Sequence, residues 1–132
     1  MLLPFSAPIV GARFRPPAAD VLNNLPGDQE LVCVREPLNP HDENAIRVVV
    51  DINSIMNICQ SMLEPDQEMS DVFAIDERDH FHLGYVPRDK AEMLAGYLDA
   101  MGGECKGKLS FNVEGRPQVE MSVDDGIPEE IA

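Results

Sequence analysis

The stretch REPLNPHDENAIRVVV, residues 35–50, limits the possible folds more than any other part of the chain. Its first part is crowded with turn formers, namely Pro37, Asn39, Pro40, Asp42 and Asn44. The residues that follow, AIRVVV, are mostly β-branched and predict a strand over 45–50. A hairpin turn needs only about two to five residues. The polar residues before the strand therefore exceed what a turn alone requires.

Alternating and helical patterns predict the other elements. Further strands are predicted over 7–14, 29–36, 72–75, 81–86, 105–115 and 116–123, the last two forming a hairpin. Helical stretches are predicted over 18–25, 53–64 and 87–104. The last of these is the clearest, because Pro87 stands at its start and Gly102 and Gly103 at its end. Six or so short strands with one clear helix indicate a small, strongly bent sheet or barrel of mixed α+β type.

The charge of the chain is unevenly distributed. The 132 residues, enough for one domain, hold 10 basic and 24 acidic side chains, a net charge of −14. Residues 51–80 hold eight acidic residues against Arg78, a net charge of −7, and residues 120–132 hold five acidic residues and no base. The remainder is nearly neutral. This balance disfavours a long, non-specific nucleic-acid track but leaves room for a few phosphate contacts.

The three cysteines predict no metal or disulfide framework. Cys33, Cys59 and Cys105 are scattered and odd in number, so each is interpreted as a small buried hydrophobe in a reducing, cytoplasmic setting. No apolar run approaches the roughly 18 residues of a membrane span, and the start lacks the basic lead of a signal peptide. We therefore expect no membrane association.

The sequence contains few residues or motifs that are typical of catalysis. The segment DERDHFH places His80 and His82 on one face of a strand, where they could share a metal ion, but no third ligand is placed and a solvated turn is the favoured interpretation. No phosphate-binding glycine loop and no nucleophile motif occurs. We expect no metal, no cofactor and no enzyme activity.

Two motifs in the sequence resemble those of the HIRAN domain family. The family pattern R-x-P-x-N-P-x-D-x-N-A-I-x-V is met between Arg35 and Val48, and the pattern G-Y-[VL]-P-[RK] is met between Gly84 and Arg88. The upstream VGARF, residues 10–14, is similar to the first strand of the family. The resemblance covers residues 7–50 and 81–123. It implies a single domain over 1–123, with an atypical acidic insert at 51–80 and an acidic, disordered tail at 124–132.

The resemblance implies a mainly β, α+β fold, namely a small SH3-like or OB-like barrel of about six strands with one or two packed helices. It also implies a pocket that grips the end of single-stranded DNA and recognises the free 3′-hydroxyl. Asp42 would accept a hydrogen bond from that hydroxyl and repel a phosphate. Asn39 would contact a base edge or sugar, His41 would stack on a base, and Arg88 would meet a phosphate.

Residues of the first predicted strand and of the second motif complete the implied site. Phe14 would stack on a base, and Arg13 or Arg15 would pair with phosphate. Tyr85 and Phe14 are equally compatible with a place in the core. Asp42 and Asn44 are also explained by Asx turns, in which the side chain accepts a hydrogen bond from nearby backbone. Both interpretations of the polar loop remain open at this point.

Two functions follow from these observations. The first is a non-catalytic module that binds single-stranded DNA ends, in DNA repair or replication. The alternative is an acidic protein-interaction or inhibitor module, similar to a DNA mimic and of phage origin, in which residues 51–80 and the tail face a basic protein partner. The two are distinguished by whether the surfaces of Arg13, Arg15 and Arg88 are joined and clear of residues 51–80.

Overall fold

The computed structural model describes residues 1–126, which form six strands and four helices. The strands are β1 (Leu2–Pro8), β2 (Glu30–Arg35), β3 (Ile46–Asp51), β4 (His80–Tyr85), β5 (Glu104–Phe111) and β6 (Pro117–Asp124). The helices are α1 (Pro16–Asn24), α2 (Met56–Ser61), α3 (Met69–Val72) and α4 (Arg88–Ala100). Short 3₁₀ turns cover Ala12–Phe14 and Ile52–Ile55.

All strands belong to one antiparallel sheet of order β1-β6-β5-β2-β3-β4. The predicted mainly β, α+β class is therefore confirmed. The predicted closed barrel is wrong, because β1 and β4 are the two edges of an open sheet. An isolated bridge brings these edges together beyond the end of β1, where Val10 and Tyr85 exchange two backbone hydrogen bonds of 2.9 Å.

The strand predicted over 7–14 lies earlier in the chain. β1 ends at Pro8, and after Val10 the chain turns at Gly11, whose φ of 85° places it in the left-handed region that glycine tolerates. The 3₁₀ turn at Ala12–Phe14 follows, and Pro16 then stands at the first position of α1. The site residues predicted on a strand or its loop are thus carried on a tight turn.

Glycine is required where the bridge forms. A Cβ on Gly84 would lie 2.6 Å from the Val10 carbonyl oxygen and 2.7 Å from Cγ2 of Ile9. Both distances are shorter than real carbon contacts, so the segment at Ile9 and Val10 packs directly on the backbone of β4. The glycine of the second motif is explained by this close approach.

One hydrophobic core holds the molecule together. Helix α1 packs on β4, and α4 lies against β2, β5 and β6. The core combines Val21 and Leu22 of α1 with Leu94 and Leu98 of α4 and with alternate residues of the sheet, including Leu31, Val48, Leu83, Leu109 and Val119. The predicted helices 18–25 and 87–104 are confirmed, with α4 ended by Gly102 and Gly103 at φ of 90° and 91°.

The two ends of the segment 51–80 lie next to each other in the structure. The amide of Ile52 donates to the carbonyl of Asp79 at 2.8 Å, next to the last pair of β3 and β4. The predicted helix 53–64 is confirmed as a 3₁₀ turn followed by α2. The strand predicted over 72–75 is wrong, because Glu68 and Asp71 form a capping box that starts α3. Only the bridge between Ile75 and Phe81 is strand-like within this part of the described chain.

The last described residues pair with the first residues of the chain. β6 includes Asp124, and the Asp125 amide donates to the Met1 carbonyl at 3.1 Å. The tail predicted over 124–132 therefore starts within structure, and its residues 127–132 lie outside the described part. Across residues 1–126, no helix is both long and apolar enough to cross a membrane.

Candidate nucleic-acid interface

Arg35 fixes the polar loop between β2 and β3. Its Nε and Nη2 donate to the two carboxylate oxygens of Asp99 on α4, at 2.9 and 3.4 Å. Its Nη1 donates to the carbonyls of Glu43 and Ala45, each at 3.0 Å. The side chain of Arg35 is only 7% exposed. A nearly buried guanidinium thus connects the loop to the helix.

Side chains within the loop hold its backbone. Oδ1 of Asn39 accepts hydrogen bonds from the amides of His41, at 2.9 Å, and Asp42, at 3.2 Å. Oδ1 of Asp42 accepts a hydrogen bond from the Asn44 amide at 2.9 Å. The interpretation as Asx turns is confirmed for Asp42. One oxygen of the Asp42 carboxylate is therefore used by the turn, and Oδ2 is left for other contacts.

Asp42 also lines a polar depression of about 390 Å³. Its Oδ2 lies 4.0 Å from Nε of Arg88, whose side chain is 80% exposed, whereas that of Asp42 is 18% exposed. The depression is lined by Asn39, Pro40, His41, Asp42, Glu43, Asn44, Arg88 and Glu92. Four of the residues predicted for the site, namely Asn39, His41, Asp42 and Arg88, thus come together, although they lie in two motifs far apart in the sequence.

Arg13 and Phe14 line a different depression. It has a volume of about 570 Å³ and is formed by the turn after β1, by α1 and by Pro117. The ring of Phe14 is 75% exposed, and the guanidinium carbon of Arg13 lies 4.8 Å from its centre. This is a cation–π contact on the surface. The alternative of Phe14 as a core residue is therefore wrong.

Arg15 turns inward, away from Arg13. Its Nη1 donates to the carbonyl of His82 at 3.1 Å, and its Nη2 is buried without a hydrogen-bond partner in the described part of the chain. Burial lowers the pKa of this guanidinium below its usual value. Arg15 is thus only partly exposed, with its guanidinium held by the backbone of β4, whereas Arg13 is exposed.

Tyr85 of β4 contacts His82 and Glu36 and lines neither depression. Its ring meets that of His82 edge to face at 4.8 Å, and its hydroxyl is hydrogen-bonded to Glu36. Burial, and then the Glu36 carboxylate, raise the pKa of Tyr85. Burial, with the nearby Arg15 and Arg47, lowers the pKa of His82 to about 4, so this imidazole is neutral at pH 7. Tyr85 is thus half-buried, and its role in a site stays a prediction.

Glu36 is the residue that sequence reasoning missed. Its Oε1 accepts a hydrogen bond from Nδ2 of Asn39 at 3.2 Å, and its Oε2 lies 3.7 Å from Nε of Arg47. With the bond to Tyr85, the carboxylate connects both motifs of the resemblance. Its place in the sequence, between Arg35 and Pro37, was the available signal, but a charged residue beside a turn is usually solvated.

The network continues into the acidic segment. Nη2 of Arg47 lies 3.4 Å from Oδ2 of Asp76. Asp76 also caps its own turn, because Oδ1 accepts hydrogen bonds from the amides of Arg78, at 2.8 Å, and His80, at 3.0 Å. Arg78 in turn pairs with Glu104 of β5 at 2.8 and 3.2 Å. Residues 76–80 are thus braced against the sheet beside the site. Among residues 1–126, no group of three or more potential ligands is placed to hold a metal ion.

Comparison with known proteins agrees with this geometry. A sequence model of the HIRAN domain matches residues 4–127. A crystal structure of a protein from Lactobacillus plantarum is similar, with a TM-score of 0.58, 18% identity and coverage of 93% of this chain and 95% of that one. The crystal structure of the HIRAN domain of human HLTF is similar with a TM-score of 0.54, 17% identity and coverage of 91% and 74%.

No curated protein matches the sequence significantly. At these identities the two crystal structures support the fold, and the assignment to a family rests on the sequence match across nearly the whole chain. Both motifs on which the resemblance was based fall within the matched residues, and they meet in the structure at the polar loop and the start of α4. This chain belongs to the HIRAN domain family, a family of nucleic-acid-binding modules.

Proposed function

We propose that this protein is a non-catalytic module that binds the 3′ end of single-stranded DNA and recognises its free hydroxyl, in DNA repair or replication. The ligand would enter the depression formed by the polar loop and the start of α4. Phe14 and Arg13 would contact the strand farther from its end. No proton transfer or bond cleavage is required of any residue in this role.

The observation that carries the proposal is the state of the Asp42 carboxylate. One of its oxygens is held by the Asn44 amide, and the other lies 4.0 Å from Nε of Arg88, both residues lining the depression. A fixed acceptor of this kind can take the hydrogen of a terminal hydroxyl. A terminal phosphate in the same place would meet a like charge and lose that hydrogen bond.

The charges around the depression favour the same choice. Its lining includes the carboxylates of Asp42, Glu43 and Glu92 but only one cation, Arg88. Such a site is unsuited to a continuous phosphate backbone and better suited to an uncharged terminus. Its volume of about 390 Å³ lies at the small end of the range for ligand pockets, as expected for one terminal nucleotide rather than a longer strand.

The test is a comparison of two DNA ends. A short single strand carrying a 5′ fluorophore is titrated with the protein and followed by anisotropy, once with a 3′-hydroxyl and once with a 3′-phosphate. We expect tighter binding of the hydroxyl end. Equal affinities would refute recognition of the hydroxyl, and no binding of either strand would refute DNA binding through this site.

A conservative variant identifies the acceptor. Asp42→Asn keeps an oxygen for the Asn44 amide but removes the negative charge from the depression. We expect it to narrow the preference for the hydroxyl end while the thermal melt stays close to that of the native protein. Asp20→Asn, which makes the same change at an exposed position of α1, is the matched control and should leave the preference unchanged.

A second function is supported by the acidic segment. Glu64, Asp66, Glu68 and Asp71 are all exposed and lie on a stretch that carries one base against eight acids. An acidic surface of this kind suits a basic protein partner, which would make the chain an interaction or inhibitor module. This function would gain support if neither DNA end bound while a basic partner protein did.

A further inference from the structure

Two of the three cysteines lie directly opposite each other in the sheet. Cys33 of β2 and Cys105 of β5 are register partners in an antiparallel pair. Side chains of opposed residues extend to the same face, and here that face is the core. Cys33 is 0% and Cys105 5% exposed, and both are free thiols. Neither contributes to the site described above, so both are nucleophilic groups without an assigned role.

The spacing of opposed residues suits a covalent link. Their Cα atoms lie about 4.5–5.5 Å apart in any antiparallel pair, which is within the range of about 4.4–6.8 Å found for disulfides. The Arg35 amide donates to the Gly103 carbonyl, two residues along the same register, so the cysteines belong to the hydrogen-bonded set of pairs. The Cα atoms of pairs in this set lie about 5.5 Å apart, which is close to the commonest separation in disulfides.

The proposed bond would join the two central strands of the sheet. β5 and β2 are the central neighbours in the order β1-β6-β5-β2-β3-β4. Their pairing joins the half that contains the terminal strands to the half that carries the polar loop and Tyr85. The adjacent Leu31 is opposed by Gly107, where a Cβ would lie 2.8 Å from Val119 and 2.9 Å from the Glu120 carbonyl. These contacts belong to β6, so β5 is also closely packed on the side away from β2.

We propose that Cys33 and Cys105 form a redox-responsive dithiol, which an oxidant of the peroxide or diamide class closes into a cross-strand disulfide. Cys105 would react first, because it is the more exposed of the two. Its thiol donates to the Ser122 carbonyl of β6 at 3.3 Å, so the side chain would have to rotate towards β2 before the disulfide forms. Cys33 would resolve the intermediate. The two cysteines take no part in the proposed DNA binding, so a test of the disulfide does not depend on that function.

With hydrogen peroxide the chemistry balances in two steps. The Cys105 thiol loses its proton, and its sulfur attacks a peroxide oxygen, so that the O–O bond breaks and a sulfenic acid and one water form. The Cys33 sulfur then attacks the Cys105 sulfur, the S–O bond breaks, and the thiol proton leaves with the hydroxyl as a second water. Two electrons pass from the two thiols to one peroxide. Burial raises the pKa of Cys33 to about 12, so the second step is slow at neutral pH.

The experiment uses the folded native chain. The protein is treated with hydrogen peroxide or diamide, remaining thiols are blocked with an alkylating reagent, and the product is analysed by intact mass and by mapping of non-reduced peptides. After alkylation in denaturant, we expect a monomer whose mass is that of the native chain minus two hydrogen atoms plus one alkyl group, in which the Cys33 and Cys105 peptides are joined and Cys59 is alkylated. Dithiothreitol added before the alkylation should make all three thiols available to the reagent. A matched sample unfolded in urea controls for the potency of the oxidant.

Variants separate the pair from the third cysteine. Cys59→Ala should still form the intramolecular bond, whereas Cys33→Ala should stop at a sulfenic acid on Cys105 that dimedone traps. The oxidised native protein should melt several degrees higher than the reduced one, because the link restrains the unfolded chain. The proposal is overturned if the folded protein gives no bond while the unfolded protein is oxidised, or if the bond joins Cys59 or two separate chains.

Discussion

The Glu36 carboxylate accepts a hydrogen bond from the side-chain amide of Asn39 at 3.2 Å. Because Nδ2 of Asn39 is directed at Glu36, its Oδ1 is left to accept the amides of His41 and Asp42. The orientation of Asn39 is thus set by Glu36, which stands at an unspecified position of the first motif. The same carboxylate receives the Tyr85 hydroxyl, so one side chain aligns both sides of the candidate interface.

Glu36→Gln should disturb that alignment without creating a cavity. We expect a loss of about 1–2 kcal/mol in stability, as for a hydrogen bond to a charged group, and a weaker preference for the 3′-hydroxyl end. The Tyr85 pKa should fall towards its ordinary value but remain above it, because burial persists. Alkaline absorbance titration in a Tyr97→Phe background measures this. Glu77→Gln, at an exposed position, is the control, and an unchanged Tyr85 titration would contradict the assigned role of Glu36.

Few exposed cations are available for phosphate, so binding should depend weakly on salt. Arg15 is only partly exposed and donates to the His82 carbonyl, so Arg13 and Arg88 are the exposed cations of the predicted set. Each neutralised phosphate of a single strand contributes about 0.7 to the log–log salt slope, so we expect a slope of about one to two. Arg13→Gln should lower it, and Arg116→Gln on the β5–β6 turn should not. A slope of about six would require a long basic track and would contradict this interface.

Exposed acidic residues in the segment 51–80 should repel DNA even without contacting it. Charge reversal of Glu64 and Asp66 is the cleanest change, because Glu68 and Asp71 form the capping box of α3 and their replacement would disturb that helix. If DNA ends bind, the reversal should strengthen binding, most of all at low salt, since screening removes the repulsion. The neutral pair Glu64→Gln and Asp66→Asn should give an intermediate effect. Weaker DNA binding after reversal would contradict the end-binding proposal.

Replacing Gly84 and Gly96 by alanine should change the stability of the protein in opposite directions. Gly84→Ala places a Cβ against the Val10 carbonyl oxygen at 2.6 Å and should cost about 2–4 kcal/mol, because backbone must move. Gly96→Ala, on the exposed face of α4 with nothing within 4 Å, should stabilise the protein by about 0.5–1 kcal/mol. Urea denaturation measures both. A neutral effect of Gly84→Ala would show that the bridge at Val10 is not closely packed in solution.

His82 should make the fold sensitive to acid. Its pKa is about 4 in the folded protein and near its ordinary value of about 6.5 when unfolded, so the unfolded state binds the extra proton between these values. The stability contributed by the neutral imidazole is complete above pH 6.5 and is lost as the pH falls towards 4. After allowance for its partial exposure, we expect a loss of about 1–2 kcal/mol. His82→Gln should flatten this part of the stability profile, and proton NMR of His82 would reject the account if its pKa were near 6.5.

Local patterns predicted most of the framework. β2 and β3 and the hairpin of β5 and β6 follow from alternating apolar residues between turn formers, and α4 follows from its buried stripe and terminal glycines. The meeting of Asn39, His41 and Asp42 with Arg88 was also anticipated by the family resemblance. These features depend on neighbours in the sequence or on motifs that carry their own geometry.

The missed features depend on distant partners. Arg15 turns inward because it finds a carbonyl on His82, 67 residues away in sequence. β1 pairs along β6, near the other end of the chain, and its register cannot be read from a short apolar stretch. The closed barrel failed for a similar reason, since the edges of the sheet meet at one bridge, between Val10 and Tyr85, rather than along a ladder.

Phe73 belongs to the acidic segment, yet it packs edge to face on Phe81 of β4, with ring centres 5.5 Å apart. Ile52, Ile55 and Cys59 from the same segment also join the central core. Although the segment leaves and returns at adjacent residues, a chain without it would expose Phe81 and would need compensating substitutions in the core. A stretch that looks removable by its position is therefore a condition for folding.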